Sequence, residues 1–267
     1  MAAQSPTVES TINDAATLAL ANAMYRFTFG IVVDGRYAAE GKGLGSGIGV
    51  TWKGAYLILT ANHVIEETPH ERMYFLLPNE ALQFANNGGA PATVEVRKRM
   101  ALEKPDTIQA DDEDIAAIIL PEQLQEQGRS HFYPLDEHHA VPSRAKQVGV
   151  LGYPGQAKVH VGANFMATVF LGFGELGHPD PAVYADHNSQ ISVSYPSALT
   201  PDPHGLSGSG VWLPTDNGSQ ALWSPRVRLI GLTTNHDSVR QELVGYRIER
   251  VIEFLRTNEG RMRCKNR

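Results

Sequence analysis

Three side chains in this sequence have the types and settings that acyl transfer needs. Ser207 stands in His204-Gly205-Leu206-Ser207-Gly208-Ser209-Gly210-Val211-Trp212, a serine between glycines followed at once by an apolar pair. Glycines remove Cβ atoms, so the backbone can turn tightly and a substrate can come close. Such a turn presents a hydroxyl and aims consecutive N–H groups into one concavity, which serves a nucleophile and its developing oxyanion. An ordinary Gly/Ser loop has the same composition, so a catalytic reading needs a base and an orienting carboxylate elsewhere. His63 offers the base. It follows the apolar run that ends Leu59-Thr60-Ala61-Asn62, where a satisfied core histidine is the alternative. Asp114 offers the carboxylate. It closes the acidic run Asp111-Asp112-Glu113-Asp114 and directly precedes the apolar segment Ile115 to Leu120. The run reads as a solvated loop, but Asp114 sits at the lip of a strand, where a carboxylate can be desolvated and still held by hydrogen bonds.

Other chemistries fit less well. The segment Gly41-Lys42-Gly43-Leu44-Gly45-Ser46-Gly47-Ile48-Gly49-Val50 has the composition of a phosphate loop. Its spacing matches neither the Walker A pattern nor the dinucleotide fingerprint, and no helix pattern opens after it. Glycine at every second position instead predicts a strand with one face crowded by another backbone. The ten histidines include no HExxH and no Cys/His cluster, so neither a metal nor any other cofactor is expected. The net charge of −6 gives no basis for a nucleic-acid or anionic-membrane partner. A single cysteine, Cys264, rules out an intramolecular disulfide, so the fold must stand on its core. The N-terminus lacks the pattern of a secretory signal, and a cytoplasmic location is expected.

The elements that must position these residues are mostly short strands. An N-terminal amphipathic helix is expected over 8–23, with Thr11 and Asp14 as a weak capping box. Alternating Phe27, Phe29, Ile31 and Val33 then predict a strand, with a hairpin turn at Asp34-Gly35. Further strands are expected at 51–53 and 55–60, then at 74–77, 92–96 and 115–120. After a strand-poor connection over 121–144, more follow at 147–152, 159–161, 167–171, 190–195, 210–213 and 227–234. Ile248, Val251, Ile252 and Leu255 are spaced for a short helix ending near Asn258 to Gly260. Many short strands with turn signals argue for barrels or sandwiches.

The chain order His, Asp, Ser separates this set from the subtilisin and α/β-hydrolase orders. The sequence resembles the trypsin-like (chymotrypsin-fold) serine peptidases, especially the disulfide-free bacterial type. Thr60-Ala61-Asn62-His63 is similar to their T-A-x-H motif, Asp114-Ile115-Ala116 to D-I-A, and Gly205-Leu206-Ser207-Gly208-Ser209 to G-x-S-G-S/G. Gly152-Tyr153-Pro154-Gly155 is similar to a turn early in their second barrel. The resemblance covers about residues 26–255. It implies an all-β fold of two packed six-stranded β-barrels, with added N- and C-terminal helices. The expected organisation is an N-terminal helical extension over 1–24, a first barrel over 25–130 carrying His63 and Asp114, and a second over 131–267 carrying Ser207.

By the same resemblance, the N–H groups of Gly205 and Ser207 form an oxyanion hole. Thr234, Asn235 and His236 pair with the substrate backbone. The base of the primary pocket lies near Thr200 to Asp202. Asp202 there would recruit a basic side chain and His236 an acidic one, unless both are exposed loop residues. The residue before the nucleophile is Leu206, not the aspartate that pairs with a newly cut N-terminus in zymogen-activated members. A partner or loop ordering is therefore the expected means of control. The expected activity is a serine endopeptidase acting on protein or peptide. A catalytically silent binding or scaffold protein and an esterase on the same site are the alternatives.

Overall fold

A computed structural model describes residues 8–33, 44–66, 73–78, 92–96, 99–122, 129–135, 147–154, 158–161, 164–184, 188–196, 200–215 and 226–263. The expected turns at Asp34-Gly35 and at Gly155, the start of the glycine run at 41–43, and Cys264 lie outside the described residues. Helix α1 (Val8–Tyr25) opens the chain and leads into strands β1 (Thr28–Val33), β2 (Leu44–Trp52) and β3 (Ala55–Thr60). A single helical turn, α2 (Asn62–Glu66), precedes β4 (Met73–Leu76), β5 (Ala92–Val96), β6 (Arg99–Leu102), β7 (Asp106–Gln109) and β8 (Ala116–Ile119). After a 3₁₀ turn at Arg129–His131 come β9 (Tyr133–Pro134), β10 (Gln147–Gly152), β11 (Lys158–Val161), β12 (Asn164–Gly177) and β13 (Gln190–Ser194). Strands β14 (Gly210–Thr215), β15 (Arg226–Asp237) and β16 (Glu242–Arg247) lead to helices α3 (Ile248–Thr257) and α4 (Glu259–Arg263).

The strands form two sheets. The second is a closed barrel of six strands, β10–β14–β15–β16–β13–β12, with β12 pairing back onto β10. The first runs β6–β4–β1–β2–β3–β8–β7, with β9 added in parallel on β2. It curls as a half-barrel, so the expected pair of six-stranded barrels is realised as one closed ring and one open curl. Strand β12 is far longer than the expected 167–171. Its first half leaves the barrel and pairs with β11 on one side and β5 on the other. The strands β6, β7, β9 and β16 were not expected: β7, β9 and β16 carry no apolar alternation, and in β6 it is confined to Met100 and Leu102 on either side of exposed Ala101. Helix α1 begins at Val8, so Thr11 lies inside it rather than at its cap.

Each sheet has its own apolar core, and a third lies between them. Phe29, Ile31, Ile58, Phe75 and Ile118 fill the first curl. Val148, Val150, Ile191, Val211 and Ile230 fill the barrel. The third unites Ile48, Val50 and Leu57 of the curl with Leu151, Trp212 and Leu229 of the barrel, and α3 contributes Val251 and Leu255 to it. Where the halves meet, Phe27 stacks on Trp212 at 5.9 Å, and Tyr133 meets both rings edge-on at 5.4 and 5.5 Å. Such pairs add about 0.5–1.5 kcal/mol each beyond their buried area.

Helix α1 is part of this packing. Ala21, Met24 and Tyr25 are buried. A Cβ on Gly149 would stand 2.9 Å from the Met24 sulfur, so the helix lies directly on β10. Met24→Ala therefore opens a void in the seam between α1 and the barrel. Denaturant unfolding is expected to show a loss of about 2–4 kcal/mol, the range for truncating a buried large side chain. A loss under 0.5 kcal/mol would mean that α1 is not docked in solution.

Candidate active site

Strand register brings Asp114 to His63. Strand β8 pairs antiparallel with β3, with Thr60 opposite Ala116 and Leu59 opposite Ala117. Continuing this register two residues past the ladder brings Asn62, the neighbour of His63, opposite Asp114. The carboxylate then holds His63 twice. Oδ1 accepts the backbone N–H of His63 at 2.9 Å, and Oδ2 lies 2.8 Å from ring Nδ1. The first bond also accepts one of the N–H groups that the first turn of a helix leaves unsatisfied. Two side chains of α2 fix it in place: Ile65 is fully buried in the first core, and Val64 covers Gly45. A Cβ on Gly45 would stand 2.4 Å from Val64 Cγ1. The glycine alternation in β2 thus answers to close neighbours, chiefly side chains. At Gly49 the neighbour includes backbone, with His131 O 2.5 Å from a Cβ there.

The second half of the molecule holds the Asp114 loop from outside. The Tyr246 hydroxyl accepts the Asp114 N–H at 3.5 Å. Glu113 pairs with Arg250 of α3 at 2.5 Å, and Arg250 also reaches Glu253. The bond to Asp114 raises the His63 pKa above its ordinary 6.5, against the opposing effect of burial, with Asp114 and Glu66 charges adding to the rise. Because the folded value lies above the unfolded one, the stabilisation from this pair is full below about pH 6.5 and is lost as pH climbs through the raised value.

Ser207 arrives from the other side. It sits in the turn just before β14, whose first residue pairs with Leu151 of β10 and Leu232 of β15. Gly205 and Gly208 take the positive φ values +91° and +87°, which only glycine adopts easily. Leu206 is 1% exposed and buried in the barrel core, so it anchors the turn by burial. The carbonyls of Gly205, Leu206 and Ser207 are all bonded within the protein. Gly205 O accepts Ser46 Oγ–H at 2.7 Å. Leu206 O accepts the Thr233 hydroxyl at 2.8 Å and Ser209 N–H at 2.9 Å. Ser207 O accepts Ser46 N–H at 2.9 Å. The Gly208 N–H is used by Thr233 O at 2.7 Å. Among the described residues, the N–H groups of Gly205 and Ser207 have no acceptor. The Ser207 hydroxyl donates to Thr234 O at 3.4 Å, a long bond, and forms none with His63.

The turn reaches His63 through β2 and β3. Ser46 O accepts the Thr60 hydroxyl at 2.8 Å, and Thr60 stands three residues before His63. The contact is tight: a Cβ on Gly208 would lie 2.0 Å from Ser46 O and 2.5 Å from Thr60 Oγ1. Ser46, Thr233 and Tyr246 were not singled out from the sequence, and Thr60 was read only as part of the motif that ends in His63. Only the glycines around Ser46 hinted at a close approach.

Of the four residues expected to read the substrate, Thr234 is adjacent to Ser207. It is skipped in the β15–β16 ladder, where pairing passes from Thr233 to Asn235, and Asn235 is exposed. The Asp202 carboxylate accepts the His204 N–H at 2.9 Å and contacts its Nδ1 at 3.1 Å, and that N–H is the main cause of its lowered pKa. The His236 ring packs edge-on to Tyr195 at 5.8 Å. Burial lowers its pKa, partly offset by Asp237 and Asp202. Burial also pushes the Tyr195 hydroxyl up to about 12 while that hydroxyl donates to Pro201 O at 2.7 Å.

No protein-family model matches the sequence, nor does any curated sequence. Solved structures resemble the fold. The serine protease domain of the Sesbania mosaic virus polyprotein aligns over 86% of this chain and 92% of its own, at 13% identity and a TM-score of 0.46. Human heparin binding protein aligns over 88% of this chain and 92% of its own, at 11% identity and a TM-score of 0.50. Identity this low bears on fold alone. The architecture is that of the chymotrypsin type, one curled sheet and one closed barrel with helices at both ends.

Two glycines with nearly the same positive φ test the turn. Gly54 has φ +86° and nothing within 4 Å of a Cβ, whereas Gly208 has φ +87° and backbone at 2.0 Å. Gly54→Ala is expected to cost about 1 kcal/mol of stability, and Gly208→Ala about 3 kcal/mol or more, by denaturant unfolding. Equal costs would show that the turn does not press on Ser46.

Proposed function

We propose that this protein is a serine endopeptidase. The observation that carries the reading is the two-point hold of Asp114 on His63, at 2.9 and 2.8 Å. That hold fixes which face of the imidazole is free. With Nδ1 occupied by the carboxylate, the ring's other nitrogen is left to act as the base.

In this mechanism, the Ser207 hydroxyl leaves Thr234 O and is deprotonated by His63 as Oγ attacks a peptide carbonyl. The Oγ–C bond forms, and the carbonyl π-electrons move onto oxygen. The N–H groups of Gly205 and Ser207 receive that oxyanion, already aimed and without competing acceptors. The imidazolium, steadied by Asp114, gives its proton to the leaving amine, and the C–N bond breaks. Water activated by His63 then hydrolyses the ester and restores Ser207. The substrate is a protein or peptide strand lying along Thr234 to His236 and adding to the sheet there. Leu206 leaves no carboxylate to pair with a cut N-terminus. Control therefore falls to a partner or to ordering of the cleft loops.

A fluorophosphonate probe is expected to label Ser207 in the wild-type protein, and not in Ser207→Ala or His63→Ala. Folded wild-type protein that neither labels nor cleaves a peptide library would support the silent scaffold instead. The pH profile adds a second test. His63 works as a base only when neutral, so the rate climbs with pH through a value above 6.5. Asp114→Asn removes the largest cause of that rise. It is expected to move the acid limb to lower pH and to reduce kcat by roughly 10⁴-fold through loss of the correct tautomer. An unshifted acid limb would contradict the pairing of His63 with Asp114.

A further inference from the structure

Ser46 lies on β2, 159 residues from the turn it touches, and is fully buried. All of its polar groups are bonded around the Ser207 turn. Its Oγ accepts the Tyr153 N–H at 2.9 Å. With that acceptor position filled by an obligate donor, the hydroxyl proton is directed to Gly205 O, 2.7 Å away. Its N–H goes to Ser207 O at 2.9 Å, and its carbonyl takes the Thr60 hydroxyl at 2.8 Å.

We propose that Ser46 is a positioning residue for catalysis, whose hydroxyl locks the Gly205 peptide so that the Gly205 and Ser207 N–H groups stay aimed at the oxyanion. The inference rests on the peptidase reading of the same site. The reason a lock is needed is Gly205 itself. It sits at φ +91°, and without a Cβ it passes between positive and negative φ at little cost. The Gly205–Leu206 peptide is held at both ends, by Ser46 at its carbonyl and by Pro203 O at its N–H, 2.9 Å. Removing the hydroxyl leaves Gly205 O and Tyr153 N–H unbonded in a dry place, and both groups gain by rotating towards other partners. Gly205 is then free to turn its N–H out of the mouth. Ser46 touches neither the expected substrate strand nor His63, so substrate binding should be spared.

The geometry behind Ser46 is equally tight. A Cβ on Gly152 would lie 2.7 Å from Ser46 Oγ and 2.0 Å from Ser209 Oγ. The hydroxyl therefore has one place to be, wedged between β10 and the turn.

The test compares wild type with Ser46→Ala and with Ser46→Cys, which keeps the site filled while offering a much weaker donor. Peptide hydrolysis is expected to show kcat reduced roughly 10- to 100-fold in both, with KM within about twofold of wild type. Fluorophosphonate labelling should slow to the same degree. In ¹⁵N spectra the Gly205 and Ser207 amide signals are expected to be sharp in wild type and to broaden in both variants. Folded variants with unchanged kcat, or with a raised KM alone, would overturn the assignment. If wild type neither cleaves nor labels, the peptidase reading fails by itself. The amide signals still decide the lock: broadening supports it, and signals that stay sharp, shifted or not, overturn it.

Discussion

The structure depends on one close contact, the bonding of the Ser207 turn to the edge of β2 at Ser46. A tight turn leaves backbone carbonyls that must find partners once buried. Here Ser46 takes Gly205 O and Ser207 O, and Thr233 takes Leu206 O. Each of these carbonyls is bonded, and among the described residues the Gly205 and Ser207 N–H groups have no acceptor. The partners come from different halves of the chain. The turn's shape is therefore a property of the packed pair, and the third apolar core between the sheets is what keeps the halves in register.

The same division of labour governs the His63–Asp114 pair. His63 and Asp114 both belong to the curl and meet through the β3–β8 ladder. Their outer support comes from the other half, through Tyr246 on β16 and through Arg250 on α3, which pins Glu113. Ion pairs at partly exposed positions contribute little to stability. Their value here is geometric: they hold a loop that carries one carboxylate against one imidazole. The C-terminal helix is thus tied to the site as well as to the core.

The sequence was most legible where chemistry is local. Thr60 to His63, Asp114 to Ala116 and Gly205 to Ser209 are short segments whose glycines, polar side chains and flanking apolar strands appear together. Strands β1, β3 and β8 were legible for the same reason, since each is a mostly apolar run that is buried along nearly its whole length. Illegible were the contacts that depend on pairs far apart. Nothing near Ser46 indicates Gly205 or Tyr153, and nothing near Tyr246 indicates Asp114. Strand β12 reads as broken because Gly172, Gly174 and Gly177 interrupt its pattern. In the folded chain Gly174 is glycine because Ser194 O stands 2.4 Å from where a Cβ would be. Closure of one sheet but not the other follows from the β10–β12 pairing, which no local pattern encodes. Asp202 and His236 were both singled out, but Asp202 is taken up by its own neighbour His204, and His236 packs on Tyr195, which lies far off in the chain.

The central claim is that Ser207 is a nucleophile activated by His63. The most direct measurement is mass spectrometry of protein quenched in acid during turnover of an activated ester, followed by peptide mapping. The account predicts one acyl group, carried on the peptide containing Ser207, and none in His63→Ala. An adduct on any other residue, or hydrolysis that proceeds with Ser207 unmodified in a trapped steady state, would contradict it.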